Sequence, residues 1–148
     1  MTPADPDFEA RVRRSFEKQR VMRTLGVLLG RVAPGEVELT LPFREDLSQQ
    51  HGFLHAGVVT TVADSAAGYA ALTLMPPGAA VLSIEFKVNL LAPAKGEAIV
   101  ARGRVVKAGR TVSVVHADVF ARDGSEEKLV STLVGTMMVV QERPGLVD

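Results

Sequence analysis

Residues 56–75 constrain the fold more than any other stretch of this chain. From Val58 to Leu74 there is one carboxylate, Asp64, and the other polar groups are the hydroxyls of Thr60, Thr61, Ser65, Tyr69 and Thr73. Pro76-Pro77-Gly78 ends the run, which predicts a helix over about Ala56–Met75. A helix that is apolar on every side has to be enclosed. The rest of the chain must therefore supply a surface to enclose it.

That surface reads as strands. Glu36–Phe43 alternates, with Val37, Leu39, Leu41 and Phe43 on one face. Leu25–Val32 reads as a strand before it, joined by an Ala33-Pro34-Gly35 turn. After the helix come Val81–Leu91, Glu97–Lys107, Thr111–Arg122 and Leu129–Gln141, separated by turn residues. In the first of these, Leu82, Ile84, Phe86, Val88 and Leu90 share one face, while Ser83, Glu85, Lys87 and Asn89 share the other. Ahead of everything, Asp7 to about Thr24 reads as a helix. Phe8, Val12 and Phe16 recur at spacing four, with Arg11, Arg13, Arg14, Glu17 and Lys18 around them. The order predicts an α+β fold in one domain over residues 1–148: an N-terminal helix to residue 24, then a core over 25–140 in which an antiparallel sheet curls round the Ala-rich helix. The tail reads as disordered or loosely docked. An edge as apolar as Val81–Leu91 calls for cover by a second copy.

Composition narrows the functional classes. Lys+Arg and Asp+Glu both number 17, so no global field favours nucleic acid or a membrane. The chain has no cysteine, which excludes disulfides, thiolate chemistry and a cysteine zinc site. His51, His55 and His116 lack a metal-ligand spacing. The N-terminus has no apolar stretch of the signal-peptide kind, and the longest apolar runs are too interrupted to span a bilayer. A cytoplasmic protein without a metal is expected.

The chemistry centres on Asp64. An acid in apolar surroundings must be paired, neutralised or used. About two turns earlier, at His55-Ala56-Gly57, the free N–H groups of a helix start could hold a developing anion. A carboxylate with an oxyanion site is the minimum for hydrolysing an acyl group. The plainer reading of Asp64 is a structural hydrogen bond to a neighbouring subunit. That of Gly57 is a tight loop-to-helix turn, and that of His55 is a helix cap. His51 and His116 read as solvent or sheet-face residues.

The chain resembles the hotdog-fold thioesterases, in the branch named for the phenylacetate-pathway thioesterase PaaI. The resemblance runs from Leu25 to Val140. It rests on the loop Leu47-Ser48-Gln49-Gln50-His51-Gly52, the His55-Ala56-Gly57 helix start, and Asp64 within Val62-Ala63-Asp64-Ser65-Ala66. It also rests on the strand Ser83–Ala94 and the turn Lys107-Ala108-Gly109-Arg110-Thr111. The family more often has a second Gly at Ala56 and Asn at Gln49. The resemblance implies an acyl-CoA thioesterase, acting on acyl groups that include aromatic ones, with no cofactor or metal. It implies that Asp64 activates water or attacks the carbonyl, that the Gly57 N–H and the Gln49 amide polarise the thioester oxygen, and that Ser83 supports the water. Gln50 competes with Gln49, and His55 supports the site. Lys107, Gly109 and Arg110 would meet the phosphates of coenzyme A, unless that turn is an ordinary hairpin with charged shoulders. The site would lie between subunits, Gln49 and Gly57 of one facing Asp64 and Ser83 of the other, in a dimer of the hotdog kind and a homotetramer built from it. Leu25, Phe53, Tyr69, Met75 and Phe86 could line an acyl pocket. Two alternatives stand beside this reading. One is a hydratase or dehydratase of acyl thioesters that uses His55 with Asp64. The other is an acyl-CoA-binding module without catalysis.

Overall fold

The computed structural model describes residues 1–141 and 143–146. Six antiparallel strands form one sheet in the order β1-β2-β4-β5-β6-β3. They are β1 (Leu28–Ala33), β2 (Glu36–Pro42), β3 (Ala80–Leu90), β4 (Ala98–Lys107), β5 (Val112–Asp123) and β6 (Glu126–Val140). The chain passes from β2 through the central helix to β3 at the far edge, so β1 and β3 are the two edge strands. Helix α3 (Ala56–Leu72) lies against β2, β3, β4, β5 and β6, and nearly all of its second half is buried.

Helix and sheet approach closely at Gly103 in the middle of β4. A Cβ added there would fall 2.2 Å from the carbonyl oxygen of Ala66. The helix backbone rests on the strand backbone at this point, which only glycine permits. The small residues Ala63, Ala66, Ala67 and Ala70, all fully buried, let the rest of the sheet close in around the helix.

The N-terminal segment differs from the single helix expected. It breaks at Gln19, which is extended (ψ 92°), into α1 (Phe8–Lys18) and α2 (Arg20–Leu25). Gly26, at φ 80°, closes α2 in the left-handed conformation, so β1 starts at Leu28 rather than Leu25. Val12 is fully buried and Phe16 packs against the core, as the spacing of four predicts. Arg11, grouped by sequence with the charges around that stripe, is 3% exposed. Its guanidinium donates to the carbonyls of Leu72, Met75 and Pro76 at 2.7, 2.8 and 2.6 Å and pairs with Asp5 at 3.3 Å. It adds a donor to carbonyls at and just past the end of α3, those of Leu72 and Pro76 also accepting from the N–H groups of Met75 and Ala79, and so ties α1 to the central helix.

Strand β6 starts at Glu126, three residues before the apolar run. Glu127 bonds Arg102, which also holds Glu38, so a polar ladder extends the pairing along the outer face. Arg102 is thus paired on both sides. His116 lies in the same layer, its Nε2 2.9 Å from Thr132 Oγ1, and His51 is exposed. Of the tail, Gly145 and Leu146 sit beside the start of β3, and the expectation for Glu142, Val147 and Asp148 lies outside the described residues. Among the described residues no helix is long and apolar enough to cross a membrane.

Candidate active site

Strand β3 carries a β-bulge between Ser83 and Glu85. Strict alternation would group Ser83 with Glu85, Lys87 and Asn89. The extra residue breaks that parity. Ser83 pairs with Met137 and Val88 with Leu133, both partners fully buried, so Ser83 shares the helix-facing side with Val88. The Ser83 hydroxyl donates to Oδ1 of Asp64 at 2.8 Å. Asp64 is half-buried in α3. Burial pushes its carboxyl above the usual aspartate range, and the Ser83 hydrogen bond pulls it part of the way back. Both residues open onto a cavity of about 360 Å³ bounded by the α1–α2 junction, α3 and the start of β3. The acid is paired and reachable, as a general base or nucleophile must be.

The other residues singled out in the sequence gather elsewhere in the subunit. Gln49 and Ala56 line a second cavity of about 510 Å³, together with Phe53, Leu90 and Leu91. Gln50 is exposed and is not among its lining residues. The Gln49 side-chain oxygen accepts from the His51 backbone N–H, which leaves the amide NH₂ as the free, donating end. His55 caps α3, its Nδ1 accepting from the Gly57 N–H at 2.9 Å. The Val58 N–H is bonded to the His55 carbonyl. Among the described residues, the Ala56 N–H is the first-turn donor without a hydrogen-bond partner. The sequence reading placed the anion site at this helix start but assigned it to the Gly57 N–H, which the structure gives to His55.

The two cavities share no lining residue. Ala56 and Asp64 are eight residues apart on one helix, or about 12 Å along its axis. One thioester group cannot touch both within a single chain. The residues expected around an acyl group divide the same way. Tyr69 lines the Asp64 cavity, Phe53 the Gln49 cavity, and Phe86 is exposed on β3. Met75 is buried in the core and Leu25 packs against it, so neither is free to line a pocket. Gly109 and Arg110 lie in the β4–β5 turn, and Lys107 ends β4 just before it. Val112, just after the turn, is in register with Met138 and through it with Leu82, so this turn is at the Asp64 end of the sheet. Among the described residues, no three His, Asp or Glu side chains converge as metal ligands.

The comparisons with known proteins agree with this fold. Residues 51–128 match the family model of the thioesterase superfamily. A thioesterase family protein from Silicibacter pomeroyi is 50% identical, and its crystal structure superposes with a TM-score of 0.89 over 91% of this chain and 99% of that one. Human acyl-coenzyme A thioesterase 13 is 33% identical over 107 residues, 71% of this chain and 72% of that protein. The PaaI protein of Escherichia coli, 17% identical, shares the fold with a TM-score of 0.83 over 93% of this chain and 96% of that one. With its sheet wrapped round α3 and its carboxylate on that helix, the chain belongs to the thioesterase superfamily, as a hotdog-fold protein that shares its fold with PaaI.

Proposed function

We propose that the protein is an acyl-CoA thioesterase whose active site is completed by a second copy of the chain. The observation that carries this reading is the Ser83–Asp64 hydrogen bond on the wall of an open cavity. Ser83 occupies Oδ1, which leaves Oδ2 to take a proton from the attacking water. The resulting oxyanion needs donors. The Ala56 N–H and the Gln49 amide supply them at the positive end of α3. The Gly57 N–H joins them when the His55 ring turns away from it. Collapse of the tetrahedral intermediate expels the thiolate of coenzyme A, which takes up the proton, and leaves the acid.

Strand β3 supports the two-copy arrangement. Its start lines the Asp64 cavity and its end lines the Gln49 cavity. It is an edge strand with Ile84, Phe86 and Leu90 exposed, a surface that calls for pairing. Antiparallel pairing of two β3 strands centred near Phe86 sets Leu82 of one opposite Leu90 of the other. Asp64 and Ser83 then face the partner's Gln49 and the partner's Ala56. The Lys107–Arg110 turn is at the Asp64 end, where it can meet the phosphates of coenzyme A.

The test is thiol release from butanoyl-, hexanoyl- and phenylacetyl-CoA by the assembled protein. Asp64→Asn should lower kcat/KM by about 10²–10⁴-fold without changing the oligomer. Gln49→Ala should fall well below Gln50→Ala. Parent-like turnover by Asp64→Asn would remove the assignment.

A further inference from the structure

One glycine has no structural reason to be where it is. Gly68 lies inside α3, one turn after Asp64 and about 6 Å along the axis. It lines the same cavity. Glycine weakens a helix interior relative to alanine. It earns its place where φ is positive or where another backbone comes close. Neither holds here. Gly68 is not among the positive-φ glycines, and a Cβ added to it meets nothing within 4 Å. At Gly103, by contrast, an added Cβ falls 2.2 Å from the Ala66 carbonyl oxygen. What the missing methyl of Gly68 leaves is space, and that space is in the Asp64 cavity.

The wall opposite is polar. Gln19, at the α1–α2 break, lines the cavity with Ser65, the residue after Asp64. The Ser65 hydroxyl donates to Gln19 Oε1 at 3.4 Å. This turns the amide so that Nε2, which has no hydrogen-bond partner among the described residues, is the donating end. Lys18, another donor, lines the same cavity.

Building on the thioesterase reading, we propose that this cavity is the acyl pocket and that its substrates are compact acyl groups ending in a hydrogen-bond acceptor. Gly68 makes room for the acyl chain beyond the reacting carbonyl. Gln19 binds its polar end. The α1–α2 break, which lies outside the sheet-and-helix core, brings Gln19 to the pocket and so sets specificity. A plain alkyl chain of the same length would leave the Gln19 amide unpaired, and a buried donor without a partner counts against the ligand that strands it.

The experiment compares hexanoyl-CoA with 5-hydroxypentanoyl-CoA, which has the same number of heavy atoms, and adds butanoyl-CoA as a shorter substrate. The parent should prefer the hydroxyacyl substrate over hexanoyl-CoA by about threefold or more in kcat/KM. Gln19→Leu should abolish or reverse that preference. Gly68→Val should raise the butanoyl-to-hexanoyl ratio by about tenfold or more, and Gly68→Ala should melt no lower than the parent. An unchanged ratio in Gly68→Val, a markedly lower melting temperature in Gly68→Ala, or equal use of the two isosteres by parent and Gln19→Leu would each overturn the pocket assignment and leave the thioesterase reading standing. A parent that releases thiol from phenylacetyl-CoA alone overturns the pocket assignment, and one that releases it from none of these substrates, phenylacetyl-CoA included, overturns both.

Discussion

Replacing Gly103 by alanine tests how the fold positions its own chemistry. The added Cβ would sit 2.2 Å from the Ala66 carbonyl oxygen, 2.3 Å from its carbon and 2.6 Å from the Ala67 nitrogen. Ordinary contact begins at about 3.4 Å, so strand and helix must separate by about 1.2 Å at this point. All three atoms are backbone in the middle of a helix, and none can swing aside. Overpacking usually costs about 1–3 kcal/mol. With only backbone to yield, the upper end, about 3 kcal/mol, is the expectation here. At about 2–4 °C per kcal/mol, that predicts a fall in Tm of roughly 6–12 °C. Ala66 is two residues from Asp64, so the same displacement disturbs the 2.8 Å bond between Asp64 and Ser83. An ångström of misplacement can cost about 100-fold in rate. Thermal melts followed by circular dichroism, with kcat/KM measured well below the transition, separate the two effects. A variant that melts within 2 °C of the parent would refute the close approach of helix and strand. One that melts low but keeps full kcat/KM would show that the helix does not hold Asp64 to this tolerance.

Three further outcomes follow from the structure. Burial holds the Asp64 carboxyl above the usual aspartate range. Activity that needs the carboxylate should therefore rise with pH along an acid limb above that range, and Ser83→Ala, which removes the bond favouring the charged form, should move the limb to higher pH. The stability sign is the reverse of that for a salt-bridged acid. With its folded pKa raised, the contribution of Asp64 is full below the ordinary aspartate pKa and is lost as pH rises through the folded one. Asp64→Asn should accordingly melt at or above the parent at pH 7, with the gap closing in acid, and melts at pH 4 and pH 7 check this. Arg11→Met removes the guanidinium from the carbonyls of Leu72, Met75 and Pro76, of which Leu72 and Pro76 keep a backbone donor, and leaves the buried carboxylate of Asp5 without its cation. Removing one partner of a buried pair costs about 3–5 kcal/mol, and denaturant titration should show a loss of that order.

Much of the scaffold is legible in the chain alone. A 17-residue helix with one charged group has to be enclosed, and alternating strands on either side of it had to do the enclosing. Pro76-Pro77-Gly78 and the other turn residues placed most boundaries to within a few positions. Asp64 stood out because it is the lone charge in an apolar run. Those are local signals, carried by composition and period. The errors came where a distant partner outweighs the local pattern. Arg11 looks like its charged neighbours until the end of α3 is laid against it. Ser83 looks like a surface hydroxyl until the bulge turns it toward the helix. Glu126–Lys128 looks like a loop until Arg102 and Arg122 meet Glu127 across the sheet.

The sequence by itself determined that a lone carboxylate would sit in an enclosed helix behind a loop rich in glycine, histidine and glutamine. Only the tertiary structure decided which side chains share a cavity with that carboxylate. It brings Ser83 and Gln19 to Asp64, leaves Gln49 and Ala56 a separate cavity, and gives the Gly57 N–H to His55. The reason is physical. Periodicity reports which face of an element turns toward the core, whereas a bulge, a helix break or a backbone-to-backbone contact at one glycine depends on groups far away in the chain.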